Sequence, residues 1–171
     1  MDVIDVECLF AAISIGIKFG VSLENIKNAG VILVHGGGWV SGEKSLMHPL
    51  AQDLASQGYI TATIEYRLAP EAKYPAAIHD IKAAVKWMRA SSSKYNIDTN
   101  KIALIGCSAG GHLAAFVGAT NGLQKFDERT NYPNNSSFVN AVIDIDGILD
   151  FTDPAESGKN SNLLKPSVGK R

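Results

Sequence analysis

The residue in this chain best placed to do chemistry is Ser108. It lies in Gly106-Cys107-Ser108-Ala109-Gly110, after the apolar run 102–105 and before an alanine-rich stretch of helical character. Strand, tight turn and helix, with a serine at the apex and a glycine two positions to either side, is the pattern of a nucleophile elbow. The glycines have a steric task. The serine must take a strained backbone conformation, and strand and helix must pass closely beside it. The hydroxyl then projects from the carboxyl edge of a sheet. The Ala109 amide opens the helix, where an unpaired donor suits an oxyanion.

A second glycine motif follows another short apolar run, 31–34: His35-Gly36-Gly37-Gly38-Trp39. Successive glycines let backbone amides turn inward and approach a ligand closely. The amides of Gly37 and Gly38, added to that of Ala109, would make an oxyanion hole for a tetrahedral acyl intermediate. A phosphate or dinucleotide loop is the competing use of such a motif. The glycine spacing fits neither G-x-G-x-x-G nor a P-loop ending in Lys-Ser/Thr.

These residues need a scaffold, and the rest of the chain supplies a pattern for one. Residues 13–23 alternate strictly between apolar and small or polar residues, predicting a strand with one buried face. Residues before 13 fit helix or strand equally. The run 31–34 reads as a strand buried on both faces. Residues 45–57 have helical spacing and stop at Gly58. Residues 59–66 are β-branched and aromatic, hence a strand. A loop over 67–74 leads to Pro75, which fits the first turn of a helix extending to about 94, with Ala77, Ile81, Ala84, Val85 and Met88 as its buried stripe. The elbow strand and its helix, to about 120, come next. A polar loop over 121–137 precedes a strand over 138–145, and the composition turns polar from 153. Strands alternating with helices predict an α/β fold with a mostly parallel sheet between helical layers. Such sheets carry their sites at the carboxyl ends of the strands, where both glycine motifs lie.

Composition narrows the partners. At 171 residues, the length suits one domain. The net charge of −1 gives no footprint for nucleic acid or an anionic membrane. The two cysteines, Cys8 and Cys107, are read as free thiols, because a disulfide at Cys107 would obstruct the elbow. That favours a reducing compartment and a cytoplasmic location. The apolar segment 9–21 is preceded by acids, contains Lys18 and is too short to span a bilayer, so neither a signal peptide nor an anchor is predicted. No metal-ligand cluster or cofactor motif is visible.

Taken together, HGGGW, YRLAPE, YPAAIHDIKAAVKWMR and GCSAGGHLAA resemble the α/β-hydrolase esterases. More narrowly, they are similar to the esterase/lipase group with an HGGG oxyanion motif, which includes hormone-sensitive-lipase-like enzymes and acetylxylan or feruloyl esterases. The resemblance spans about residues 30–150. It implies a carboxylic ester hydrolase acting on short acyl or acetyl esters without a cofactor or metal. It places the nucleophile on Ser108 and the oxyanion amides on Gly37, Gly38 and Ala109. It makes Tyr66 and Arg67 largely structural, and Asp80 an ion-pairing or loop-anchoring residue.

The chain departs from that family in its proton-handling residues. A serine hydrolase needs a base to activate the hydroxyl and a carboxylate to orient the base. In this fold the order is serine, acid, histidine, yet no histidine follows His112. His35 is read as pinning the oxyanion loop, and His48 and His79 fall in or beside helices. His112 lies in the first turn of the elbow helix and should point into packing. Asp146 and Asp150 follow the strand after the elbow, a position some α/β hydrolases use for the acid, although loop capping is the favoured reading.

The expectation is therefore a single partial hydrolase domain over 1–171. It would have an atypical lead-in over 1–29, a polar tail over 154–171 and a sheet incomplete on its C-terminal side, as in a truncated gene product. Losing the base costs on the order of 10⁶ in turnover, so these residues alone should be weak or inactive. A catalytically silent hydrolase-like binding protein and one half of a split esterase are the alternatives. The exposed edge of strand 138–145 is expected to promote self-association.

Overall fold

The computed structural model describes residues 28–127 and 132–153, together with the backbone of 6–9. In chain order the elements are β1 (Val6–Leu9), β2 (Gly30–Val34), a 3₁₀ turn (Lys44–Met47), α1 (His48–Ser56), β3 (Ile60–Ile64), α2 (Ala76–Ala90), the single turn α3 (Ser92–Tyr95), β4 (Ile102–Cys107), α4 (Ala109–Ala119), a second 3₁₀ turn (Gln124–Phe126) and β5 (Ala141–Ile145). The alternating stretch 13–23, most of the lead-in and the tail 154–171 lie outside the described residues.

The sheet order is β1-β3-β2-β4-β5. β2 pairs in parallel with β3 and β4, β5 in parallel with β4, and β1 antiparallel with β3. Chain direction explains the layering. From β2 the chain steps to β3 on one side, then crosses back to β4 on the other. Right-handed crossovers require that this reversal move the covering helix to the opposite face. Accordingly, α1 and the 3₁₀ turn before it pack Ala51 and Met47 against Val31, Leu33 and Ile105 on one face. α2 and α4 pack Ile81, Val85, Leu113 and Val117 against Ile32, Val34, Ile64 and Leu104 on the other. All five β2 positions are buried, as a strand covered on both faces requires. The reversal also places the ends of β2 and β4 side by side at a topological switch point.

Two predicted boundaries are corrected. The helix expected to reach 94 ends at Ala90 and resumes as one separate turn at Ser92, because the three successive serines Ser91–Ser93 have low helix propensity. Its buried face includes Ile81, Ala84, Val85 and Met88, and also Ile78 and Asp80. Ala77 is only partly buried. The strand predicted over 138–145 begins at Ala141. The backbone just before it is held by side chains. Arg89 donates to the Ser136 and Phe138 carbonyls, and the Asn121 amide clasps Val139 at 2.9 and 3.0 Å.

Candidate active site

β4 passes into α4 through Ser108 alone, at φ 53° and ψ −122°. A non-glycine residue there costs roughly 1–3 kcal/mol, and persists only where its surroundings over-determine it. They do so here: Ser108 N donates to the Ile145 carbonyl at 2.8 Å, and His112 N donates to the Ser108 carbonyl at 3.1 Å. A Cβ on Gly106 would overlap the Gly110 carbonyl, and one on Gly110 would overlap the carbonyls of Val34 and His35. Both glycines are therefore required for α4 to lie against β4 and β2. The Ser108 side is left exposed.

The loop after β2 bends through positive φ at Gly37 (119°), Gly38 (60°) and Trp39 (64°). A Cβ on Gly36 would stand 2.9 Å from the Cys107 carbonyl and 3.2 Å from the Ser108 Cβ, so this backbone runs directly against the elbow. The Gly37 carbonyl accepts from Val40 N at 3.2 Å, Ser41 N at 3.1 Å and Ser41 Oγ at 3.0 Å. In a trans peptide the next amide points the opposite way, so the Gly38 N–H is turned out of this knot. Among the described residues neither the Gly37 nor the Gly38 amide donates to a carbonyl. The Ala109 amide, first in α4, has no intrahelical partner either. Three uncommitted donors thus lie on the two segments that meet at Ser108.

His35 anchors this loop from below. It is fully buried, with Nδ1 donating to the Gly36 carbonyl at 2.7 Å and Nε2 3.4 Å from the Glu65 carboxylate. Its ring stacks on Tyr66 at 4.4 Å, and the Tyr66 hydroxyl donates to the His35 carbonyl at 3.0 Å. Burial, reinforced by the Glu65 charge, pushes the Tyr66 pKa up and keeps that hydroxyl a donor. Glu65 also accepts from Lys44 N at 2.8 Å. Arg67 forks onto Asp80 at 2.7 to 3.1 Å, and its own backbone N–H donates to the same carboxylate at 2.9 Å. Asp80 therefore anchors the loop after β3.

The other histidines have contacts of their own. His112 Nδ1 accepts from Trp39 Nε1 at 3.2 Å, and the rings meet edge to face at 5.5 Å. Burial lowers the His112 pKa, while the Asp144 carboxylate pulls it the other way. His48 opens α1, and His79 lies in the first turn of α2. Of the two carboxylates singled out from the sequence, Asp150 accepts from Thr152 N at 2.7 Å and Thr152 Oγ1 at 2.6 Å. Those bonds hold it below the usual carboxylate range as the cap of a turn. Asp146 is exposed at the end of β5 with φ 58°.

Sequence reasoning missed Asp144. Its Oδ1 accepts from Gly147 N at 2.9 Å and fills the space where a Gly111 Cβ would be. Its place inside an otherwise apolar strand is the signal that could have found it. Sequence reasoning also missed the partner of Trp39, since nothing local joins residues 39 and 112. Among the described residues no trio of His, Cys, Asp or Glu gathers as metal ligands, and no helix is long and apolar enough to cross a membrane.

Known proteins are similar to this chain in sequence and fold. Esterase LipC of Mycobacterium tuberculosis is 39% identical over 124 residues, covering 72% of this chain and 30% of that protein. A truncated carbohydrate esterase from gut microbiota superposes with a TM-score of 0.67 at 33% identity, covering 74% of this chain and 48% of the other. A thermophilic esterase of Thermogutta terrifontis superposes with a TM-score of 0.71 over 95% of this chain and 57% of the other, and at 23% identity it speaks for the fold. The chain spans about a third of the length of the curated relatives it matches. The fold is that of the α/β hydrolases, and the BD-FAE family model matches residues 23–170, so the chain belongs to the BD-FAE family.

Proposed function

We propose that this chain carries the nucleophile and the oxyanion hole of a serine-dependent carboxylic ester hydrolase acting on short acyl or acetyl esters. The observation that carries the reading is Ser108, held at φ 53° against a glycine loop whose Gly37 and Gly38 amides donate to no carbonyl among the described residues. The Ser108 oxygen attacks the ester carbonyl carbon as a base removes its proton. The carbonyl oxygen becomes an oxyanion that accepts from Gly37, Gly38 and Ala109. Collapse expels the alcohol, which takes up the proton, and leaves an acyl-serine that water hydrolyses. One lost oxyanion donor costs on the order of 10² to 10³ in turnover. The similar proteins, among them esterases and a carbohydrate esterase, support the reaction class.

The proton-handling groups are proposed to come from sequence or a chain beyond these residues. No histidine follows His112, and those present have contacts of their own. Asp146 remains the better-placed carboxylate of the pair, since Asp150 is engaged in its turn. The committed histidines equally favour a second reading, a hydrolase scaffold that binds without turning over.

Fluorophosphonate labelling separates the two. Ser108 should label in the isolated chain or after addition of a C-terminal fragment from a longer relative, and Ser108→Ala should abolish it. Labelling in neither condition supports the silent scaffold. With p-nitrophenyl acetate the isolated chain should turn over well below about 1 per second, the lower end of typical enzymes. Faster turnover would show that a base is already present.

A further inference from the structure

The proposed oxyanion hole is assembled from two segments far apart in sequence. Gly37 and Gly38 lie on the loop after β2, while Ala109 opens α4. An oxyanion hole works only when its donors hold a fixed spacing, because a misplacement of about 1 Å can cost 10²-fold in rate. Trp39 directly follows Gly38, and His112 stands one helical turn beyond Ala109. Trp39 Nε1 donates to His112 Nδ1 at 3.2 Å across 73 residues of sequence. We infer that this hydrogen bond sets the spacing of the two halves of the oxyanion hole, with His112 as a positioning residue. The inference rests on the reading of Gly37, Gly38 and Ala109 given above.

Several features make the bond a clamp rather than incidental packing. An indole N–H can only donate, so the bond requires a bare Nδ1 and a proton on His112 Nε2. Trp39 is a bulky residue at φ 64°, a conformation that side chains adopt rarely and at a cost. Its backbone is fixed from the other side, where its carbonyl accepts from Ala69 N at 2.8 Å. The indole therefore has little freedom unless the backbone at Gly38 moves with it. Phe151, from the segment after β5, closes the cluster at 5.9 Å from Trp39 and 5.0 Å from His112. The clamp thus joins the β2 loop, the elbow helix and the chain beyond β5. On the helix side, His112 N donates to the Ser108 carbonyl, so the same residue touches both the nucleophile's backbone and the oxyanion loop.

The test compares His112→Phe, which keeps a ring but has no acceptor, with His112→Asn, whose Oδ1 falls near the place of Nδ1. Nitrogen-15 spectra are simple to read, because Trp39 and Trp87 are the two tryptophans. At pH 8 the Trp39 indole resonance should be downfield and slow to exchange. His112→Phe should move it upfield and shift the backbone amides of Gly37, Gly38 and Ala109 together, and His112→Asn should restore all four. Trp39→Phe should give the same amide shifts, with nothing added by combining it with His112→Phe. Fluorophosphonate labelling of Ser108 should fall on the order of 10²-fold in His112→Phe and return in His112→Asn. The inference is overturned if the Gly37 and Gly38 amides stay in place while the indole resonance moves. It is equally overturned if His112→Asn behaves like His112→Phe. If wild-type Ser108 labels neither alone nor with the added C-terminal fragment, the nucleophile reading fails and the amide resonances still decide the clamp. If His112→Phe does not fold, Trp39→Phe and His112→Asn decide it.

Discussion

Gly36 and Gly110 lie where the loop of one strand touches the turn of the next, and a side chain on either would press into neighbouring backbone. One strand further along the same sheet, Ile143 and Ile145 are 49% and 41% exposed. The contrast is between a region closed by backbone contact and one left open. β5 pairs Ile143 with Ile105 and Ile145 with Cys107, so the isoleucines face the layer that holds α1. They lie beyond the reach of α1, whereas Val142, on the opposite face, packs into the core beneath α4. The proposed nucleophile, Ser108, and the proposed oxyanion amides of Gly37, Gly38 and Ala109 thus all lie in the closed region. The open region is an apolar surface with no cover among the described residues.

The sharpest way to break this contrast is to put a side chain into the closed region. Gly110→Val would drive its Cβ and methyl groups into the Val34 and His35 carbonyls. Neither backbone can retreat, since Val34 is fully buried in the central strand. The cost should reach the exceptional range of about 4 kcal/mol or more, seen as loss of the cooperative urea transition. A variant that unfolds at the wild-type midpoint would show that the elbow tolerates separation from β2.

Ser108→Gly tests the same region by removing strain. The serine holds φ 53°, a conformation that glycine adopts freely. Against roughly 1–3 kcal/mol of relieved strain stands a gain in unfolded-chain entropy of about 0.4–1 kcal/mol. The expected net is about 1 kcal/mol of added stability, raising Tm by a few degrees, with all fluorophosphonate labelling lost. Ser108→Ala should lose the label without the stability gain. Equal melting of the two variants would mean that the elbow stores no strain.

The closed region was legible because it is governed by short-range rules. An apolar run, a glycine, a serine, another glycine and an alanine-rich helix specify strand, elbow and helix without reference to distant residues. The same holds for β2 and its glycine loop, and for the buried stripe of α2. The open region was less legible, because distant side chains decide it. Arg89 and Asn121 hold 136–139 out of the sheet and delay the start of β5 to Ala141. The Trp39–His112 bond is likewise invisible to spacing arguments, since 73 residues separate its ends. Strand order, with β3 and β4 on either side of β2, follows from crossover handedness and packing, which no local pattern records.

In the open region, Ile143→Lys with Ile145→Lys should leave stability within about 0.5 kcal/mol, as substitutions at exposed positions usually do. It should change association instead. An apolar strand edge and face invite pairing with another chain, and charge discourages it. Sedimentation velocity should show the wild-type chain self-associating and the double variant as a monomer. A monomeric wild type at high concentration would remove self-association through this edge.

The smallest expected effect falls where the two regions meet, at His112. It touches Trp39 on the closed side and, through Phe151 and Asp144, the open side. Burial depresses its pKa below the ordinary value of about 6.5. The unfolded chain therefore takes up the proton before the folded one does. The stabilisation from neutral His112 is whole above about pH 6.5 and is lost as pH falls through the lower folded value. Protonation would also place an N–H on Nδ1 facing the indole N–H, breaking the Trp39 bond in the same window. The other groups with depressed carboxyl pKa values, Asp98 and Asp150, begin below the ordinary carboxylate range and titrate at more acid pH. Tyr66, pushed up by burial, titrates far on the alkaline side. Urea midpoints for the wild type should therefore fall between pH 7 and 5 more steeply than those of His112→Asn, whose acceptor does not titrate. Parallel curves would mean that His112 stays neutral throughout that range or that its charge is met by Asp144, and that the clamp is indifferent to pH.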